Sequence, residues 1–318
     1  MTPEKARRHE GTEARRGFIA STLRAFVPSC LCAFLIACQP AKDAAAPPSA
    51  PVLSTSEIRE GYNRRVEKIE RLWARPIVEI RWVDAEGKSH FEQGDGPLIV
   101  RKPHDLALAI GKAGNVFMWL GRNAERYWLF ELRPPKDQPT TAYVGRIDEL
   151  DRIDPRKLPL PVRPDQLIEL LGITELPDGI EVAITEPPNA GYAVLGPVPG
   201  SGARTYWSLD EKLRPTRVGF IDPASGEVIA EAELSNYKPL PITGAPPGAW
   251  PDIATTVEIK VPASRANLKL ILSDFTDDPA KIKDAQFDFE RLVAANKPQQ
   301  VREITPAGRS QEAGVKRQ

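Results

Sequence analysis

Apolar residues recur along this chain at two different periods. Past residue 54 they fall at Ile58, Tyr62, Val66, Ile69 and Leu72 or Trp73, three and four positions apart, which is the spacing of one face of an α-helix. Thr55 or Ser56 offers a side-chain oxygen to the first turn, and Pro76 sets the far limit of the predicted helix. On the opposite face Arg59, Arg64, Arg65, Lys68 and Arg71 interleave with Glu57, Glu60, Glu67 and Glu70, the mixture of a solvated surface rather than a basic patch. From residue 77 the period drops to two. Short runs at 77–83, 88–93, 97–102, 106–111, 115–121, 126–132 and 141–147, separated by turn formers, predict an antiparallel meander. Asp84-Ala85-Glu86-Gly87 and Lys112-Ala113-Gly114-Asn115 read as hairpin turns.

Two of these strands are apolar on both faces. Val116, Met118 and Leu120 alternate with Phe117 and Trp119, and Tyr127 and Leu129 alternate with Trp128 and Phe130. A sheet with one wet face has no use for this pattern. Pro164 opens a short helix, 167–171, that stops at Gly172. Strands are predicted again at 180–185, 190–195, 204–209, 215–222, 228–237, 255–261 and 268–274, with a hairpin loop at 222–226. The fold class is mainly β (α+β): a curved antiparallel half-barrel with an N-terminal helix and a short inserted helix.

Composition refines the boundaries. Apolar residues make up 41% of the chain, enough for a packed core, and 32 prolines against 22 glycines speak for loops and edges over long helices. The stretch 38–56 is rich in Ala, Pro and Ser and reads as a flexible tether, residues 57–296 as one domain, and the polar stretch 297–318 as a disordered tail. With 43 basic and 43 acidic side chains the chain has no electrostatic footprint for nucleic acid.

The N-terminus carries an address. Arg7, Arg8, Arg15, Arg16 and Arg24 precede an apolar run, 25–37, too short to span a bilayer permanently. It ends in Leu35-Ile36-Ala37-Cys38, which resembles the lipobox of bacterial lipoprotein precursors. The resemblance implies that 1–37 is a signal peptide and that the Cys38 sulfur takes a diacylglycerol. Each buried CH₂ of such an anchor gains about 0.8 kcal/mol, so two or three acyl chains hold firmly. Ala14-Arg15-Arg16-Gly17-Phe18-Ile19 also resembles the twin-arginine export consensus, with Ala14 in place of the usual Ser or Thr, so both the twin-arginine and the general secretory routes stay open. Gln39, where an aspartate would retain an enterobacterial lipoprotein at the inner membrane, favours the outer one.

The order of helix, meander, inserted helix and further strands resembles the carrier fold shared by LolA and LolB. The segments that carry the likeness are Gly96-Pro97-Leu98-Ile99-Val100-Arg101-Lys102-Pro103 and Leu268-Lys269-Leu270 through Phe287-Asp288-Phe289. Gly94-Asp95-Gly96 and Trp119 through Trp128 are similar to a lipoprotein subgroup of that superfamily. The resemblance implies an incomplete, strongly curved barrel around helices, with an apolar cavity for acyl chains or a lipidated partner. LolA is a soluble shuttle, whereas this chain bears an anchor, which puts it nearer to LolB or to a separate lipoprotein branch.

Candidate chemistry is sparse. Only His90 and His104 lie in the mature chain, and Cys30, Cys32 and Cys38 all lie within the first 38 residues of the sequence, so a disulfide within the body and a His/Cys metal cage are both ruled out on numbers. The acids Asp148, Glu149, Asp151 and Asp154, and Asp274, Asp277 and Asp278, sit among turn formers without calcium-loop spacing. Ser201 in Pro199-Gly200-Ser201-Gly202 lacks the context of a hydrolase elbow, so an enzyme of the envelope is the weakest reading, and no cofactor is expected. Large aromatics stand out instead. Trp82, Phe117, Trp119, Trp128, Phe130 and Trp207 are the candidate lining of a lipid-binding cavity, with ordinary core packing as the alternative for each. A non-enzymatic, lipid-anchored envelope protein that binds an acyl chain or lipidated partner follows; a structural or assembly lipoprotein with a filled interior and a protein partner of unknown identity is the rival.

Overall fold

A computed structural model describes residues 53–83, 87–134, 136–153, 163–184, 191–198, 203–306 and 311–312. The signal peptide, Cys38 and most of the tether lie outside these residues, as do Asp154 and Ser201.

The first helix, α1 (Thr55–Val66), begins one residue earlier than the sequence suggested. Ser54 is its cap: the hydroxyl accepts from the Glu57 amide at 3.3 Å, and the Glu57 carboxylate accepts from the Ser54 amide at 2.7 Å, a reciprocal capping box. The Ser54 hydroxyl also donates to the Glu57 carboxylate, and this bond, with that from the Ser54 amide, draws the carboxyl below its ordinary pKa. Ser54→Ala is expected to cost about 1 kcal/mol, read as a lower urea midpoint at unchanged slope.

The helix does not run on to Pro76, as the spacing predicted. It ends at Val66, and β1 (Arg71–Val83) takes over. Ile69 and Leu72 are buried as the helical pattern requires, but from a turn and a strand that continue into the same core. Pro76 is tolerated inside β1 because the strand changes neighbours there. Residues 71–74 pair with β3 (Leu98–Arg101) and residues 77–83 with β2 (Ser89–Asp95), so the missing N–H falls in the gap. Beyond β2 and β3, which lie end to end, come β4 (Asp105–Lys112), β5 (Asn115–Arg122), β6 (Arg126–Glu131) and β7 (Thr141–Arg146). Gly96 is required where the chain crosses from β2 to β3: a Cβ there would stand 2.2 Å from the Ala109 carbonyl oxygen. In the β4–β5 turn the positive φ values fall on Ala113 and Gly114 rather than on Asn115.

After α2 (Pro164–Leu170) the chain forms β8 (Glu181–Ile184), β9 (Tyr192–Pro197), β10 (Arg204–Leu209), β11 (Pro215–Ile221), β12 (Val228–Pro239), β13 (Asp252–Val261) and β14 (Ala266–Thr276). These positions match the period-two runs closely. β14 pairs with β1, which joins the two halves into a single curved antiparallel sheet.

The C-terminal stretch departs from expectation. Asp288 caps α3 (Phe289–Asn296) by accepting from the Arg291 amide at 3.0 Å, and Lys297 ends it in the left-handed conformation. The tail predicted to be disordered from Lys297 then adds β15 (Gln300–Glu303), paired in parallel with β7, and β16 (Gln311–Glu312) beside it. Backbone pairing with an open sheet edge, together with Val301 packing against the cluster of Trp128 and Phe130, orders Gln300 to Glu303 among otherwise polar side chains. The sheet thus numbers sixteen strands among the described residues, with β16 and β8 at its two edges.

Candidate functional site

One face of this sheet holds the main core. Leu98, Val100, Leu106, Leu108, Leu120 and Leu129 from the first half and Val218, Val257, Ile259, Leu268, Leu270 and Leu272 from the second converge on the same cluster. Both helices lie in it: α1 through Ile58, Tyr62 and Val66, and α2 through Leu167, Ile168 and Leu170. Apolar side chains at three- and four-residue spacing on α1 give it one face to bury, and the curved sheet supplies the matching surface.

Polar contacts fasten the helices at the rim of this apolar interior. The Asn63 amide bridges the backbone of Leu176, donating to its carbonyl at 3.1 Å and accepting from its N–H at 2.8 Å. Arg65 donates to the carbonyls of Gly172 and Asp252, each at 3.0 Å, and the Tyr62 hydroxyl reaches the Gly172 carbonyl at 3.3 Å. Burial pushes the Tyr62 phenol above its usual range, so it remains a donor throughout the physiological range. Gly172 has φ of +68°, and a Cβ on it would press on Pro215 and Leu234. Lys102 donates to the Val66 carbonyl at the end of α1 at 2.7 Å, and burial holds its ammonium below the ordinary lysine pKa.

The six aromatic candidates divide between two clusters. Trp207 is buried in the main core, and Trp82 and Phe117 pack at its margin, Trp82 stacked on His90 at 4.9 Å between centroids. Trp119, Trp128 and Phe130 pack in a separate cluster with Phe289 and Leu292 of α3. Phe289 lies 6.2 Å from Trp128 and 5.7 Å from Phe130, and both of those side chains are fully buried. Next to this cluster Ile99 and Ala107 are covered by Phe287, with the Lys281 ammonium 4.0 Å from the Trp73 ring. The two-sided apolar strands therefore serve two layers, helices α1 and α2 on one face and the segment 279–296 on the other. Sequence reasoning took in Phe287 and Phe289 but not the helix. Its signal was Asp288 ahead of apolar positions 289, 292 and 293.

Three of these acids have partners within the fold. Asp277 is buried and accepts from the Thr243 amide at 2.7 Å and hydroxyl at 2.6 Å; Asp278 caps the short turn Pro279–Lys281; Asp148 pairs with Arg146. His104 is exposed. Among the described residues no group of three or more His, Cys, Asp or Glu is arranged to hold a metal ion, and no helix is long and apolar enough to cross a membrane.

A cleft of about 510 Å³ opens where the end of α1 meets the start of β1, the end of β3 and the loop after α2. Glu67, Glu70, Arg71, Lys102, Thr174 and Glu175 face it. The sequence placed Glu67, Glu70 and Arg71 on a solvated helix face. Because α1 stops at Val66, Arg71 stands in β1 instead, with its Nε buried.

No protein-family model matches this chain, and no curated protein does. Solved structures do. The fold is similar to a domain from Vibrio parahaemolyticus described as an outer membrane lipoprotein-sorting protein, at 16% identity over 72% of this chain and 94% of that one, with a TM-score of 0.47. The LolA superfamily protein NE2245 from Nitrosomonas europaea aligns at 12% identity over 75% and 99% with a TM-score of 0.44. A DUF1329 family protein from Desulfovibrio piger aligns at 13% over 74% and 98% with 0.41. The likeness is one of architecture: a curved, mainly antiparallel sheet with few helices.

Proposed function

We propose that this chain is a lipid-anchored protein of the bacterial envelope, held through acylated Cys38, whose curved sheet binds an acyl chain or a lipidated partner between its apolar face and helices α1 and α2. The anchor rests on Leu35-Ile36-Ala37-Cys38 and the short apolar run before it. The binding role rests on one observation above all. A continuous apolar surface runs across both halves of the sheet, and the helices that lie on it are fastened at their rim by a few polar contacts to backbone carbonyls. An acyl chain needs apolar walls and few oriented groups, and such a surface supplies them once a helix shifts. Trp82, Phe117 and Trp207 belong to this surface. Trp119, Trp128 and Phe130 belong to the opposite face, and the proposal gives them a structural role.

The test is binding of a fluorescent fatty acid to the mature protein, with Asn63→Ala beside the wild type. Deleting the amide leaves two Leu176 backbone groups without their partner, which is expected to cost about 1–3 kcal/mol and to speed fatty-acid uptake severalfold as α1 loosens. Saturable uptake faster in the variant supports the reading. No uptake by either protein overturns it, and a stoichiometric protein partner co-purifying from membranes would favour the assembly role, to which an interior filled by α1 and α2 is equally suited.

A further inference from the structure

The cleft at the end of α1 combines unsatisfied groups of both signs. Arg71 and Arg101 stand directly opposite each other on β1 and β3, an unfavourable like-charge pair. Arg101 is neutralised by the carboxylates of Asp105 and Asp284, both at 2.6 Å, whereas the Arg71 side chain makes no hydrogen bond or ion pair with a described residue, and its buried Nε lacks an acceptor. The Thr174 hydroxyl is likewise buried without a partner. Lys102 spends one proton on the Val66 carbonyl and sits 4.0 Å from Glu175. The Glu67 and Glu70 carboxylates face the same cleft without a side-chain hydrogen bond or ion pair to a described residue. Buried donors without acceptors are costly and rare in folded proteins, and two of them in one cleft call for an anion. Free carboxylates beside them call for a cation, and a lone phosphate or carboxylate would be repelled by them.

We infer that this cleft binds a phosphoethanolamine-type zwitterion, with Arg71, Lys102 and Thr174 around the phosphate and Glu67 and Glu70 around the ammonium. The Lys102 ammonium reaches the carbonyl of Val66, whose side chain belongs to the main core, which places the cleft at the edge of the apolar interior. The inference thereby deepens the proposed function and rests on it for the natural ligand: the acyl portion of an ethanolamine lipid would lie in the interior while its head is held at the rim.

Titration calorimetry of the mature protein with free O-phosphoethanolamine, and with dihexanoyl phosphatidylethanolamine and phosphatidylglycerol below their micelle concentrations, tests this. Saturable binding of either ethanolamine probe is expected. Phosphatidylglycerol, which lacks the ammonium, should bind about tenfold more weakly than the matching ethanolamine lipid, and Arg71→Gln and Glu70→Gln should each weaken ethanolamine binding about tenfold. Equal affinity for the free zwitterion and the lipid points to a soluble ligand, and binding of the lipid alone to a headgroup. Should Arg71→Gln lower the melting temperature sharply, Thr174→Val replaces it with the same expectation. Absence of binding by both ethanolamine probes, phosphatidylglycerol binding as tightly as the ethanolamine lipid, or a folded variant that binds like the wild type overturns the inference. Fatty-acid uptake measured in parallel keeps the two readings apart: phosphoethanolamine binding without fatty-acid uptake leaves the cleft standing and removes the acyl carrier, and the converse removes only the cleft.

Discussion

Trp128→Arg is expected to abolish cooperative folding or to lower the melting temperature by about 10–20 °C. The Trp128 side chain has 0% exposure, its ring lies over Gly121, where a Cβ would come within 2.6 Å of it, and Phe289 closes the far side. An arginine there has no acid within its cluster of Phe130, Ala142, Phe289 and Leu292, so a charge is buried unpaired in place of a large aromatic surface. Such substitutions stand at the extreme of single-residue effects, about 4–5 kcal/mol, and for a domain of this size each kcal/mol is worth roughly 2–4 °C. Phe130→Arg should behave the same way. Phe117→Arg is the informative contrast, because Phe117 is only half-buried and already has the Lys112 ammonium 5.7 Å from its ring, so the longer side chain can reach water. Thermal unfolding followed by near-ultraviolet circular dichroism checks all three. A Trp128→Arg protein that melts within a few degrees of wild type would mean that this cluster is an open site, contrary to its packing under α3.

The second large effect concerns the anchor. Cys38→Ala should move the protein from the membrane to the soluble fraction, since after cleavage before Cys38 the sequence as far as Ser54 offers no other long apolar segment. Fractionation after a high-salt wash, read by immunoblot, decides it. Retention of the variant on membranes would show that something other than lipidation holds the chain there.

Most of the sheet was legible because period-two alternation and turn residues are local signals. Residues 204–209, 215–222 and 228–237 were recognisable as strands from Val, Ile, Tyr and Trp between Gly, Pro and Asp. The end of α1 was not. Ile69 and Leu72 satisfy helical spacing and are buried, but the same residues meet the core equally well from a turn and the first residues of β1. That difference decided whether Arg71 pointed to solvent or into a cleft. The apolar character of both faces of β5 and β6 was also plain, whereas what covers the second face depends on a contact between segments far apart in the chain. The pairing of Gln300 to Glu303 with Thr141 to Val144 leaves no trace in either stretch taken alone. For the same reason residue type could not separate a lined cavity from a filled core: tryptophan and phenylalanine serve both, and only the position of Phe289 assigns Trp128 and Phe130 to the latter.

The placement of α3 and β15 has a kinetic consequence. Residues 287–303 are synthesised after residues 99–144, yet they cover aromatic and apolar side chains of that earlier stretch. A chain threaded across the membrane unfolded, N-terminus first, can form β4 to β7 outside while Trp119, Trp128 and Phe130 still face water. For that interval it presents a sticky aromatic strip and an unpaired strand edge at β7, the combination that invites aggregation or capture by a chaperone. A chain that folds in the cytoplasm before export never exposes that strip outside the cell. Under the proposed export, the route taken therefore decides which compartment must protect the aromatic strip until residues 287–303 arrive.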